Sequence, residues 1–579
     1  MQNLNDFEQG YEIFYSMSFN SNPPTVLRNR LYVGLVLWLI INLVQAIFTE
    51  INPDEAYYSY WAEHLAFGYY DHPPMVAFII YISSLIFKGN LGVRLVTLML
   101  QPFTLLITWH LSDTGDMPYQ KRLVVFFTTA AAMAMLVAYG FITTPDVPLL
   151  FFTALFLLGY KKFLNNNNIS NTLLLAFAMA GLIYSKYQGG ILIVLVLASN
   201  LRLVGNPKFL LAGTLALLLC IPHFNWQIEN HFPSFQYHLV ERSKSFKWSY
   251  FFEYIPNQLA TFGPFVFAGM VWLVFKYKIT NLFERSLKFI ITGMILFFWL
   301  VTFRGHAEPH WTVAASIPAI ILMVNFSSIN VKFYNYIRRY VGASLILILV
   351  ARITLVTNIL PAKLGLSGKQ AKFEAIEKIA DNTPVVFTGS FQSPSLYHFF
   401  TGKPSTVMSS IFSRQTQFDV WGTDRNLYGK SVFLSGDFGN LTKSYRVNNQ
   451  VLQGFFVDSF QTTRDINIVF DEIRSTYIGG EKVSVLLEIE NKGKNPLLFP
   501  HTELPVNIIA IVSGKNLLEV IDGENNPLLY KLQPGEKKKV SFSFLLPKLN
   551  PGNYQIGFGC SNLMGQRLNS SFSNINILP

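Results

Sequence analysis

Over the first 360 residues, apolar runs of bilayer length alternate with short polar joints, and after Leu360 the alternation stops. Runs at about 31–49, 91–111, 122–139, 147–163, 171–187, 188–204, 208–222, 257–276, 287–303, 311–325 and 340–359 predict about eleven helical spans. Several are short for a crossing of roughly 20 residues. The joints orient them. Arg28/Arg30, Lys121/Arg122, Lys161/Lys162, Arg202/Lys208, Lys276 to Lys288 and Lys332/Arg338/Arg339 fall at every second joint. These cations mark one face as cytoplasmic, with the polar segment 1–30 inside and the first span a retained signal anchor. The segment Met75 to Phe87 is apolar but only about thirteen residues long, and it follows Pro73-Pro74. Counting it as a span would invert the joints after it. It is expected to lie in the outer interface or to re-enter it.

The outward joints are then 51–90, 140–146, the neighbourhood of 184–190, 223–256 and 304–310, together with everything after Leu360. The 361–460 stretch mixes a helical segment (Lys369 to Asp381) with short strands (Pro384 to Thr388, Ser431 to Leu434), an α/β extension. From about 461 the period becomes two. Strands are predicted at Ile466–Phe470, Lys482–Glu490, Val506–Ser513, Lys537–Leu546 and Tyr554–Gly559, with Gly/Pro/Asn turns between them. That pattern predicts an immunoglobulin-like β-sandwich over 461–579. The expected organisation is a cytoplasmic segment 1–30, a polytopic α-helical membrane domain 31–360, an extracytoplasmic α/β region 361–460 and the sandwich.

Composition agrees. The chain is 51% hydrophobic and 15% aromatic, too apolar for one soluble globule of 579 residues. Its two cysteines, Cys220 and Cys560, lie in different regions and give neither a disulfide framework nor a cysteine metal site. No Gly-rich phosphate loop is present, and nothing suggests nucleic acid as a partner.

Unusual polar residues cluster on the outward joints. The first joint carries Asp54, Glu55, Glu63 and Asp71, and from Ile51 to Pro74 it has no Lys or Arg. Acids held at a membrane surface can serve as general bases toward a substrate that arrives from the lipid. The plainer reading of Asp54-Glu55 is a solvated loop end or a helix cap. Asp146, in Thr143-Thr144-Pro145-Asp146, stands where it could simply complement a helix dipole. Lys186 places a cation on the face otherwise poor in them; a snorkelling side chain is the plainer account. Arg304-Gly305-His306-Ala307-Glu308-Pro309-His310-Trp311 is dense in polar groups, and the joint 223–256 carries His223, His238, Glu241, Arg242, Lys244 and Lys247.

Three elements together, Asp54-Glu55-Ala56-Tyr57-Tyr58, Gly68-Tyr69-Tyr70-Asp71-His72-Pro73-Pro74-Met75 and Gly92-Val93-Arg94-Leu95, resemble the GT-C glycosyltransferases. The nearest branch is glycosyltransferase family 39, bacterial type, with its protein O-mannosyltransferases and aminoarabinose transferases. The likeness covers roughly residues 30–325. It implies a sugar transferase using a polyprenyl-phosphate-linked donor, in a bacterial inner membrane with its site on the periplasmic side. Asp54 would be the general base and Glu55 its support, with Tyr57 and Tyr58 beside them. Asp71-His72-Pro73-Pro74 stands where the aminoarabinose branch often has Glu-Lys-Pro-Pro. His72 would meet donor phosphate only while protonated, with Asp71 supporting. The family usually has an Asp where Asp146 stands, in a second outer loop near the first, so the resemblance makes Asp146 a third catalytic residue beside Asp54 and Glu55. Lys186, Arg304, Arg242 and His310 would hold donor phosphate, and Trp311 would pack on prenyl chain or sugar. Asp54 and Asp71 are the candidate ligands should a divalent ion be used. The runs Phe391 to Ser395 and Arg414 to Trp421 resemble a segment after the spans of many bacterial members and are expected to cap the site.

The implied acceptor is a lipid A, polysaccharide or protein hydroxyl, attacked with inversion. An oligosaccharide ligase or polymerase would use the same groups. A transporter would require charges buried mid-span and paired halves, neither of which the sequence displays. A receptor displaying the sandwich would not explain the clustered acids.

Overall fold

The structure is a computed structural model that describes residues 25–242, 246–357, 359, 368–447, 450–515, 517–524 and 531–579. The polar segment before residue 25, Lys244 and the stretch 360–367 lie outside them.

Each expected span coincides with a helix or a broken pair of helices. Five are long and apolar enough on their own to cross a bilayer: Asn29–Phe48, Gly89–Leu111, Asp146–Asn165, Pro309–Ile329 and Val331–Thr357. The number rises to seven if each of two bent pairs is one span. The protein is thus a multi-pass membrane protein. Its first and last spans turn Val36, Leu37, Ile40, Ile346, Leu347 and Val350 outward, as lipid-facing surfaces do. The expected span 257–276 is not continuous. Trp248–Phe262 and Pro264–Lys276 meet at 104°, and the corner is Gly263 at φ +82. A side chain there would meet the Ala132 carbonyl oxygen at 2.6 Å, so only glycine fits the corner. Met75–Ser84 has 10 residues, too few to cross, as its sequence predicts.

After the spans, β1 (Val385–Thr388), β2 (Ser405–Met408), β3 (Val432–Ser435), β4 (Lys443–Val447) and β5 (Gln450–Val457) form one mixed sheet in the order β2-β1-β3-β5-β4. Its β1 pairs are parallel and its β5 pairs antiparallel. Beyond it, β6 (Ile466–Phe470), β7 (Thr476–Ile478), β8 (Lys482–Asn491), β9 (Leu497–Leu498), β10 (Asn507–Gly514), β11 (Leu517–Asp522), β12 (Lys531–Leu532), β13 (Lys537–Leu545), β14 (Gly552–Asn562), β15 (Gly565–Leu568) and β16 (Ser573–Leu578) follow. The sheets β11-β10-β14-β16-β7 and β13-β8-β6 share one apolar core, with Leu487 and Phe542 facing Ile508 and Phe558. This is a two-sheet sandwich. Alternate residues of β8 point inward, which is why its sequence reads with period two.

Two devices fix the outer loop that will matter. The first is an apolar core shared between the loop and the α/β region. Tyr57, Trp61, Tyr69 and Ile80 pack in one cluster with Phe373, Val385, Tyr397 and Phe418. The second is an ion pair. Asn52 caps the helix Pro53–Glu63: its side chain accepts from the Asp54 amide at 2.9 Å, and Glu55 Oε2 accepts from the Asn52 amide at 3.0 Å. Glu55 also receives both arms of Arg94, at 2.8 and 2.6 Å, with both side chains fully buried. Arg94 spends its other donors on the carbonyls of Ala46, Thr49 and Glu50, which end the first span. The Thr143 amide donates to Glu55 Oε1 at 2.8 Å. One guanidinium and one carboxylate thereby join the first span, the loop helix, the Gly89–Leu111 span and the 140–146 joint.

Removing either charge strands the other in a buried site. Glu55→Gln and Arg94→Met should each lower stability by about 3–5 kcal/mol. The double variant should lose less than the sum, as read from thermal unfolding in detergent.

Candidate functional site

Helix start and tight turn together present the outer acids. Asp54 occupies the first turn of the capped helix, where its neighbour Glu55 faces inward and Asp54 is left half-buried beside the cap. Gln392 Nε2 approaches its Oδ1 at 3.4 Å. Burial raises the Asp54 pKa above its usual 3.8, and the neighbouring Asp71 adds to the rise, while the Gln392 bond and Arg414 oppose it.

Asp71 is 4% exposed. Its Oδ2 accepts from Arg414 Nη2, and its backbone carbonyl lies 3.0 Å from His238 Nε2. Burial works to lower the Arg414 pKa, but the Asp71 carboxylate beside it helps to raise it above its already high value, so the guanidinium stays charged. His72 follows in the turn. Burial, with Lys186, His238 and Arg414 nearby, lowers its pKa well below 6.5. The resemblance implies that His72 meets donor phosphate only while protonated; a pKa this low favours the neutral ring, which can offer one N–H rather than a charge.

Lys186 and Asp146 meet across the bundle, with the ammonium 2.8 and 2.9 Å from the two carboxylate oxygens and both side chains buried. This explains the lysine that breaks the charge trend: it has an acid waiting for it. It also commits Asp146, which the family resemblance makes a catalytic residue, to holding Lys186. Glu55 is similarly committed to Arg94, so of the three acids only Asp54 has no cation within ion-pair distance among the described residues.

Lys186, His72, Arg242, Arg304 and Trp311 line a single cavity of about 310 Å³, whose apolar wall includes Phe297, Phe298 and Val301. Arg242 donates to Glu308 at 2.7 Å and lies over the Trp311 ring at 4.6 Å. Arg304 is exposed and has no carboxylate within ion-pair distance among the described residues. His310 is half-buried, close enough to Lys186, Asp146, Glu308 and Arg242 to feel their charges, but it is not part of the cavity lining. Tyr57 and Tyr58 are buried beneath the site; the Tyr57 hydroxyl accepts from the Gln417 amide at 2.7 Å. Asp54 and Asp71 acquire no third ligand: among the described residues no three His, Cys, Asp or Glu side chains converge as a metal site would need.

Sequence reasoning gave no role to Arg94, Arg414, Gln417 or Gln392. The last three reach the motif from more than 330 positions away. Arg414 also donates to the Tyr237 hydroxyl at 2.5 Å, and Gln417 Oε1 accepts from the Tyr70 amide at 2.7 Å. The segments read as a cap do lie on the motif. The 223–256 joint folds onto it too. His223 Nδ1 is 2.7 Å from the Phe67 carbonyl, and Tyr70 donates to Glu241 at 2.5 Å.

Residues 71–226 match the sequence model of a family described as dolichyl-phosphate-mannose-protein mannosyltransferase. The lipid A galacturonosyltransferase RgtD of Rhizobium johnstonii is 23% identical over 309 residues, covering 50% of this chain and 63% of that protein. The lipopolysaccharide core galacturonosyltransferase RgtA of the same organism is 26% identical over 215 residues, covering 33% of this chain and 41% of that protein. Both alignments span less than two thirds of the relatives' own length. Two solved structures of ArnT from Cupriavidus metallidurans share the fold. The one bound to undecaprenyl phosphate has a TM-score of 0.52 at 12% identity, and the apo one 0.53 at 13%. Each match covers 74% of this chain and 98% of the ArnT chain. The GT-C resemblance read from the sequence is borne out.

The Asp71–Arg414 contact should be measurable as coupling between loop and cap. A double-mutant cycle of Asp71→Asn and Arg414→Gln, followed by pulse proteolysis, should give about 0.5–3 kcal/mol of interaction. Strict additivity would mean that the two regions are energetically independent.

Proposed function

On an ArnT-type GT-C glycosyltransferase fold, we propose that this protein moves a sugar from a polyprenyl-phosphate donor to a hydroxyl on the periplasmic side of a bacterial inner membrane. One observation carries the reading: a single cavity lined by Lys186, Arg242 and Arg304, by the apolar Phe297, Phe298 and Val301, and by His72 of the motif turn. Cations suit a lipid phosphate and the apolar wall suits its prenyl chain. That an ArnT of the same fold was crystallised with undecaprenyl phosphate supports this choice of donor. The names of the two relatives favour an acceptor of the lipid A or lipopolysaccharide class; polysaccharide and protein hydroxyls offer the same chemistry.

The reaction is a single displacement. The acceptor oxygen attacks the anomeric carbon as its proton passes to Asp54. The bond from that carbon to the phosphate oxygen breaks, and its electron pair leaves with the phosphate. Attack opposite the leaving group inverts the anomeric centre. A hydroxyl is a weak nucleophile, so the base is needed; a phosphate is a good leaving group and needs cations rather than an acid. Arg304, with no carboxylate to offset it among the described residues, is the strongest of these cations. Lys186 and Arg242 act as hydrogen-bond donors whose charge is already shared with Asp146 and Glu308. Glu55 keeps Asp54 in place, and Trp311 holds Arg242 against the cavity.

Asp54→Asn should cut transfer by about 100-fold or more while donor affinity is retained, measured with purified protein and polyprenyl-phosphate sugars. Full activity in that variant overturns Asp54 as the base. A base works deprotonated, so kcat/KM should fall as pH drops through the Asp54 pKa. Because burial raises that pKa, the acid limb should lie above 3.8 and should vanish in the variant. His72, held neutral, should add no break between about pH 6 and 8.

A further inference from the structure

Buried polar atoms without partners lie in the Asp71-His72 turn and at Gln188, which lines the cavity beside Lys186. Among the described residues, Asp71 Oδ1, His72 Nδ1 and Gln188 Oε1 have no hydrogen-bond partner. A buried acceptor left unpaired costs about 1–3 kcal/mol, and protein interiors rarely keep one without a use. His72 and Gln188 line the cavity together with Lys186, Arg242 and Arg304. Asp71 precedes His72 in the chain, and its charge bears on Asp54. Its other oxygen is held by Arg414, which fixes the carboxylate and leaves Oδ1 as a free acceptor. A neutral His72 with its proton on Nε2 also accepts at Nδ1. His72 and Gln188 thus share a wall with the cations that suit a phosphate, and Asp71 links that wall through His72 to the acid that suits an acceptor hydroxyl. In a glycosyl transfer the sugar lies between those two points.

Charge narrows the sugar. Of the cations around the cavity and the turn, Lys186, Arg242 and Arg414 are each paired, with Asp146, Glu308 and Asp71 respectively. Arg304 has no such partner among the described residues, and a donor phosphate would take it. Among the described residues no further Lys or Arg lines the cavity to receive a second anion, while Asp54 and the free oxygen of Asp71 would repel one. We propose that Asp71, His72 and Gln188 form a glycosyl-recognition subsite, and that it takes a sugar presenting hydroxyl or ammonium donors and disfavours a uronate. This rests on the lipid-phosphate donor proposed above. It would set the chain apart from the two galacturonosyltransferases it resembles.

The test is equilibrium binding to the full-length protein in nanodiscs, using three lipids: bare polyprenyl phosphate, a polyprenyl-phosphoryl neutral hexose and a polyprenyl-phosphoryl galacturonate. The neutral hexose lipid should bind about tenfold or more tighter than the other two. Asp71→Asn and Gln188→Leu should each erase most of that preference and leave the affinity for bare polyprenyl phosphate within about twofold. Equally tight binding of the galacturonate lipid overturns the choice of sugar. Variants that keep the preference, or that weaken bare and sugar-bearing lipid alike, overturn the subsite. Failure of wild-type protein to bind bare polyprenyl phosphate overturns the donor reading itself, and the subsite with it.

Discussion

The buried pair of Glu55 and Arg94 is the constraint on which the outer face depends. Charges without water are costly to hold, and they are tolerated here because every strong donor and acceptor is used. Arg94 binds Glu55 and the three carbonyls that end the first span; Glu55 binds Arg94, its own helix cap and the Thr143 amide. The loop helix therefore leaves the membrane at a fixed angle and rotation. Asp54, one residue earlier, is turned to a different face of the helix and kept half-buried. A flexible loop could present the same acid, but could not hold it against Asp71 and Gln392 in one geometry.

A second chain of contacts reaches the site from outside the membrane domain. Arg464, just before the sandwich, donates to Asp424 at 2.7 Å and to Asp419 at 3.2 Å, in a largely buried cluster. Asp419 in turn caps the short helix that begins at Thr416. That helix carries Gln417 onto Tyr57 and Tyr70. The turn between β14 and β15 meets the same segment, with the Ile411 amide donating to the Gln566 carbonyl at 2.7 Å. The sandwich thus braces the cap, and the cap holds the motif loop. This gives the C-terminal domains a mechanical role that does not require them to bind anything.

The membrane-facing side works by balance of charge. Carboxylates and cations are brought together in pairs, Asp146 with Lys186 and Glu308 with Arg242, so that a cavity partly within apolar surroundings carries little net charge. Burying unpaired ions there would cost several kcal/mol each. The exceptions, Arg304 and Asp54, stand at more open positions where water can still reach them, and these are the groups with charge to spare for a ligand.

The alternation of apolar runs and cationic joints, a local property, was enough to give the helices and the strands from Ile466 onward, because burial in lipid or in a sandwich core imposes its period directly on the chain. Asp54, Asp71, Lys186, Arg242, Arg304 and Trp311 were legible for a related reason: polar groups stand out when they sit on joints between apolar spans. Their partners were not legible. Nothing near Arg414 indicates that it will meet Asp71, 343 positions earlier, and nothing near Glu55 says that its carboxylate is already spent on Arg94. The state of His72 depends on burial and on neighbours from three other parts of the chain. The break at Gly263 depends on the approach of Ala132. Local sequence determined which polar residues sit on the joints between apolar helices; only the tertiary structure decided which of those charges are paired and which remain available, because pairing is a matter of distance across the fold.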